Sequence, residues 1–136
     1  MRAVLAPCLL ALALAACGGA APRDSAQEFE GAERAVAATI EGIEDAARDD
    51  DPEQLCTRLL SEELLATLER QGTNCRTAVK DAFDDADSYE LTVEDVSISG
   101  DTATAKVTSG TGSREKTDTL QLEKAGGGWR ISALRS

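Results

Sequence analysis

Few side chains in this chain can do chemistry: Cys8, Cys17, Cys56 and Cys75, the single Tyr89, the single Trp129, and 25 carboxylates, with no His. Without His the chain lacks the side chain that titrates nearest neutrality and the commonest transition-metal ligand. Ser-His-Asp relays, Cys-His nucleophiles and His-based metal sites are excluded, and neither a metal nor a cofactor is expected. The thiols remain. Cys17 ends the tetrapeptide Leu14-Ala15-Ala16-Cys17, which closes an uncharged, mostly apolar run beginning after Arg2. At about 14 residues the run has signal-peptide length and falls short of the roughly 20 that span a bilayer. Small Ala15 and Ala16 suit a narrow protease cleft, and the Cys17 thiol is placed for thioether attachment of diacylglycerol. The motif reads as a lipobox, with ordinary secretory cleavage and a spare Cys17 thiol as the competing reading.

Loss of residues 1–16 removes Cys8, and lipidation occupies Cys17. Cys56 and Cys75 are left as a pair in an oxidising, extracytoplasmic setting, where a disulfide is the expected state. Closing a loop of about 20 residues contributes ~3 kcal/mol. A two-Cys metal site lacks further ligands, and a redox dithiol lacks C-x-x-C spacing. Two acyl chains, at ~0.8 kcal/mol per buried methylene, anchor stably. The first partner expected is therefore the membrane, through the lipid on Cys17 at the extracytoplasmic face of the cell membrane. Once Arg2 is gone, 13 basic residues face 25 acidic ones, which speaks against nucleic acid and anionic headgroups as partners.

These residues need a frame to position them. Residues 17–25 read as the lipidated Cys and a Gly/Pro tether, and 26–136 as one α+β domain with helices over about 26–84 and an antiparallel sheet over about 89–135. Ser25 followed by Glu28 forms a capping box, and Phe29, Val36, Ile40, Ile43 and Ala47 recur at helical spacing, which predicts a helix from about 26 to 49. Asp51-Pro52 starts a second, short helix with Leu55, Cys56, Leu59 and Leu60 as its buried side. Ser61 caps a third that ends at Gly72, and Thr73 or Asn74 caps a fourth from about Cys75 to Phe83. From Tyr89 the period becomes 2. Tyr89, Leu91 and Val93 share a face, the phase slips at Glu94-Asp95 as a bulge would make it, and Val96 and Ile98 resume. Ser99-Gly100-Asp101, Gly110-Thr111-Gly112 and Ala125 to Gly128 are the turns between strands that carry Ala103, Ala105 and Val107, then Leu120 and Leu122, then Trp129 and Ile131.

With Leu14 to Cys17, Cys56, Leu59-Leu60-Ser61, Leu64, Cys75, Ser99 to Ala103, Leu120-Gln121-Leu122 and Gly128 to Ile131 in this order, the chain resembles the small lipoproteins of high-GC Gram-positive (actinobacterial) origin that carry a nuclear-transport-factor-2-like, cystatin-like fold. The resemblance implies a curved four-stranded sheet under N-terminal helices, forming a cone with an apolar pocket at its open end. Tyr89, Leu120 and Trp129 are the lining it suggests. It further implies a non-enzymatic binding or accessory module of the cell envelope, taking a small apolar ligand or an envelope protein. Enzymes of similar fold, isomerases and cyclases, put a carboxylate and a Tyr or His inside the cone. Here Tyr89 with Asp118 or Glu90 would have to serve, and no catalytic residue is assigned.

Each of these residues also has an ordinary reading. Trp129 is a ligand-stacking ring or the main plug of a small core. Asp81 with Asp84, Asp85 and Asp87 offers oxygens to calcium but lacks the Gly and the closing Glu of an EF-hand loop, so it reads as a solvated helix end. Arg114, Lys116 and Lys106 form a patch for an acidic partner or keep a Thr-rich strand face solvated.

Overall fold

The change of period near Tyr89 is realised as helices followed by strands in a computed structural model that describes residues 24–135. The lipobox, the signal run and most of the tether lie outside those residues. After a 3-10 turn at Ser25–Glu28 come α1 (Gly31–Arg48), α2 (Pro52–Gln54, continuing as a π-helical turn over Leu55–Leu59), α3 (Glu62–Arg70) and α4 (Cys75–Asp85). β1 (Leu91–Ser99), β2 (Thr102–Ser109), β3 (Lys116–Ala125) and β4 (Gly128–Arg135) form one antiparallel sheet in sequence order. This is an α+β fold, helices packed on a four-stranded meander.

Local chemistry sets the helix ends. Asp51 Oδ1 accepts from the Gln54 N–H at 3.0 Å, Ser61 Oγ from Leu64 at 3.2 Å and Asn74 Oδ1 from Thr77 at 3.0 Å, each satisfying a donor the first helical turn leaves unpaired. Gly72, at φ +79°, ends the α3 segment in the left-handed region where a side chain would be strained.

The first helix is shorter than its apolar spacing predicts. Phe29 and Glu30 are extended, so Ser25–Glu28 stands apart from α1. Ser25 does not cap, because its hydroxyl is used across the fold: it donates to Glu41 Oε1 at 3.0 Å and accepts from the Val93 N–H of β1 at 3.1 Å. A buried edge N–H without a partner costs more than a local capping box gains.

The core lies between α1 and the inner face of the sheet. Val36, Ala37 and Ile40 are fully buried against Val93, Ala105, Val107, Leu122 and Ile131, each 4% exposed or less. Burial of a Val or Ile of this kind stabilises by ~1.5–3 kcal/mol. The bulge expected at Glu94-Asp95 shifts the β1–β2 register between Val93 and Asp95. A second shift, between Gln121 and Leu122, pairs Gln121 with Ala133 and Leu122 with Ile131. Ser132 is thereby the extra residue, and Leu134 is left 63% exposed.

Both sheet edges are partly occupied. On β1, the Leu91 N–H reaches Glu44 Oε2 at 3.4 Å and the Val93 N–H reaches Ser25. On β4, the Ile131 carbonyl accepts from the Ser61 N–H at 2.9 Å, and Leu60 forms a parallel bridge to Ile131.

Candidate functional site

Small residues at helical spacing open an apolar groove beside α4. Ala78, Ala82 and Ala86 recur every four residues along α4 and its C-terminus, so one face of that helix carries methyl groups where larger side chains would fill the space. Facing them, α1 contributes Ile43, Glu44 and Ala47. Val79 and Phe83 of α4 and Leu91 of β1 complete a groove of about 350 Å³, with Tyr89 at the approach to β1. The volume is near the lower end of the ~300–1,000 Å³ typical of small-molecule pockets, and such pockets are mostly apolar with a few placed polar groups.

The polar side chains here are Glu44, Tyr89 and Ser88, whose hydroxyl accepts from the Glu90 N–H at 3.2 Å. Glu44 is 7% exposed. Its Oε1 pairs with Arg48, one turn on, and its Oε2 accepts from the Leu91 N–H. The Tyr89 hydroxyl donates to the Phe83 carbonyl at 3.0 Å, and its ring meets Phe83 edge-on with centroids 6.3 Å apart. That bond orients the ring along the groove, leaving the phenol committed to backbone.

A disulfide holds one wall in place. Cys56 on the π-helical turn is bonded to Cys75 at the start of α4, with Cα atoms 6.0 Å apart. An Arg76–Glu53 ion pair ties α4 to α2 on the surface, and a 3.4 Å contact between Lys80 Nζ and Asp50 ties it to the α1–α2 connection. Exposed pairs of this kind contribute little energy, so α4 is held by the covalent link together with its buried Val79 and Phe83.

Of the residues singled out in the sequence, Tyr89 lines the groove and Leu120 and Trp129 do not. Leu120 is 8% exposed on the inner face of β3, and Trp129 is 6% exposed at the start of β4, with Lys124 Nζ 5.4 Å from its ring centroid. Both are core, because the opening lies between helices α1 and α4 and not over the middle strands. Asp118 pairs in register with the buried Val107, so it is on the inner face of the sheet, but Lys116 Nζ lies 3.1 Å away and Asp118 is no part of the groove. Glu90 is exposed. Cys17 falls outside the described residues. Sequence reasoning missed Glu44 and the α4 alanines. Glu44 follows Ile40 by four and precedes Ala47 by three, an acid on the apolar stripe, and that anomaly was the available signal.

A second, half-buried carboxylate binds the 3-10 turn at Ser25–Glu28. Glu41 Oε1 accepts from the Ala26 N–H at 2.7 Å as well as from Ser25. Burial pushes the Glu41 carboxyl above its ordinary value, against the opposing pull of those two donors. Asp24, hydrogen-bonded by the Gln27 side chain, is held below its own.

Comparison with known proteins gives two findings. A family model described as "Putative lumazine-binding" matches residues 32–133. Among solved structures, the chain is similar to "De novo designed NTF2 fold protein NT-9", with a TM-score of 0.47 and 15% identity over 74% of this chain and 81% of that one. The search of curated proteins found no match.

Proposed function

Given that the chain belongs to the lumazine-binding family whose model spans residues 32–133, we propose that it is a non-enzymatic binding module taking a small, flat heterocycle of the lumazine type, its ring faces against the apolar walls of the groove between α1 and α4. The observation that carries this reading is an apolar groove of about 350 Å³ with one buried carboxylate, Glu44, on its wall. A binder without turnover fits the wiring of its polar groups, since the Tyr89 hydroxyl donates to the Phe83 carbonyl and the Glu44 carboxylate is held as an ion by Arg48, keeping lone pairs to accept with but no proton to give. An isomerase or cyclase would need those two side chains free to exchange protons with substrate. The same proposal covers location: an actinobacterial-type lipoprotein, held on the extracytoplasmic face of the membrane by a lipid on Cys17, its supporting feature being Leu14-Ala15-Ala16-Cys17.

Titration of the purified protein with lumazine, a bicyclic pteridinedione, tests the binding. Saturable quenching of ligand fluorescence is expected for the wild type, and Ala82→Trp, which fills the groove from α4, weakens it by about tenfold or more. Absence of saturable binding by the wild type overturns the reading, as does unaltered affinity in a folded Ala82→Trp.

A further inference from the structure

Among the residues lining the groove, Glu44 is the only one with a charged side chain, and that side chain is 8% exposed. A carboxylate offers about four lone-pair directions. Arg48 takes one from the solvent side, its own side chain being 40% exposed, and the Leu91 N–H takes another through a long 3.4 Å bond. The remaining acceptor capacity belongs to a group that forms part of the groove wall, beside the apolar faces of Ile43 and Ala82. In such surroundings an acceptor is worth most to a ligand that brings an N–H, and it repels one that brings a negative charge.

Resting on the lumazine-type reading above, we infer that Glu44 is the specificity-determining residue of the groove. Its carboxylate accepts a hydrogen bond from a lactam or imide N–H on the edge of a neutral, flat heterocycle. Ligands without that N–H bind more weakly, and ligands carrying a carboxylate are rejected. Phe83 and Tyr89 supply flat apolar surface for the ring, while Glu44 reads its edge.

The test uses the full-length protein with three probes: lumazine, 1,3-dimethyllumazine, which has lost both ring N–H groups, and lumazine-6-carboxylate. Wild type binds lumazine about tenfold more tightly than the dimethyl compound, the factor one charge-assisted hydrogen bond carries. E44Q narrows that preference to about twofold and gains affinity for the carboxylate, as loss of a buried like charge requires. R48Q, which breaks the ion pair but keeps the carboxylate, retains the preference. Equal binding of lumazine and its dimethyl form by wild type overturns the inference and leaves the lumazine-type reading standing. Binding of neither overturns both. Loss of the preference in R48Q as large as in E44Q assigns the effect to the ion pair and overturns the role given to Glu44. If E44Q does not fold, the wild-type ratios and R48Q decide the matter.

Discussion

Glu41 shows how one side chain links the 3-10 turn at Ser25–Glu28 to the sheet. Its carboxylate accepts from Ser25 and Ala26, and Ser25 in turn accepts from Val93, so a residue of α1 holds the 3-10 turn against the edge of β1. Because burial raises the Glu41 pKa in the folded state, the folded protein binds more protons than the unfolded chain just above pH 4.5. The resulting stability is fully present below that value and is lost as pH rises through the folded pKa. Asp24 runs the other way: its carboxyl is held low, so its contribution is present above 3.8 and lost as pH falls. Glu41→Gln removes the first dependence. Urea midpoints measured from pH 4 to pH 7 should show the variant gaining on wild type as pH rises, by less than about 1 kcal/mol because the carboxylate stays in contact with water. A constant offset across that range would contradict the assignment. None of this was legible beforehand. Ser25 with Glu28 is a sound local box, and only the fold reveals that Val93 needs the hydroxyl more.

Among the elements, those with strong local codes were legible and those decided by neighbours were not. The Asp51-Pro52 start, the Ser61 and Asn74 caps, Gly72 and the bulge after Val93 are where turn and capping chemistry put them. The π-helical turn at Leu55–Leu59 and the bulge at Ser132 carry no comparable signature, and both arise from tertiary packing. The groove was misplaced for the same reason: Leu120 and Trp129 looked available until the helices covered them, whereas Ala82 is inconspicuous until α1 lies opposite. The Cys56–Cys75 bond joins the π-helical turn to α4, hence to one wall of that groove. Replacing both with Ala is expected to cost on the order of 3 kcal/mol in chemical denaturation. Lumazine affinity should drop in the same variant, since α4 loses its covalent constraint. Unchanged stability and unchanged affinity would show that the bridge only decorates the surface.

For the whole molecule, the distribution of charge bears on the attachment proposed through Cys17. Residues 17–88 hold 7 basic and 18 acidic side chains, residues 89–136 hold 6 and 7, so the helical half is strongly negative and the sheet nearly neutral. Held at an anionic surface by the proposed lipid, such a body would be pushed outward from it. Metabolic labelling with an alkyne fatty acid is expected to tag wild type and to miss Cys17→Ala, which then appears in the medium. Equal tagging of the two would refute lipid attachment. Crowding follows from any two-dimensional confinement, and open strands brought side by side are prone to zip into fibrils. The Leu91 and Val93 N–H groups on one flank and the Ile131 carbonyl on the other are already engaged by Glu44, Ser25 and Ser61. At those three positions a neighbouring copy finds fewer free groups to template on, so crowding at a surface would raise collisions more than it seeds growth.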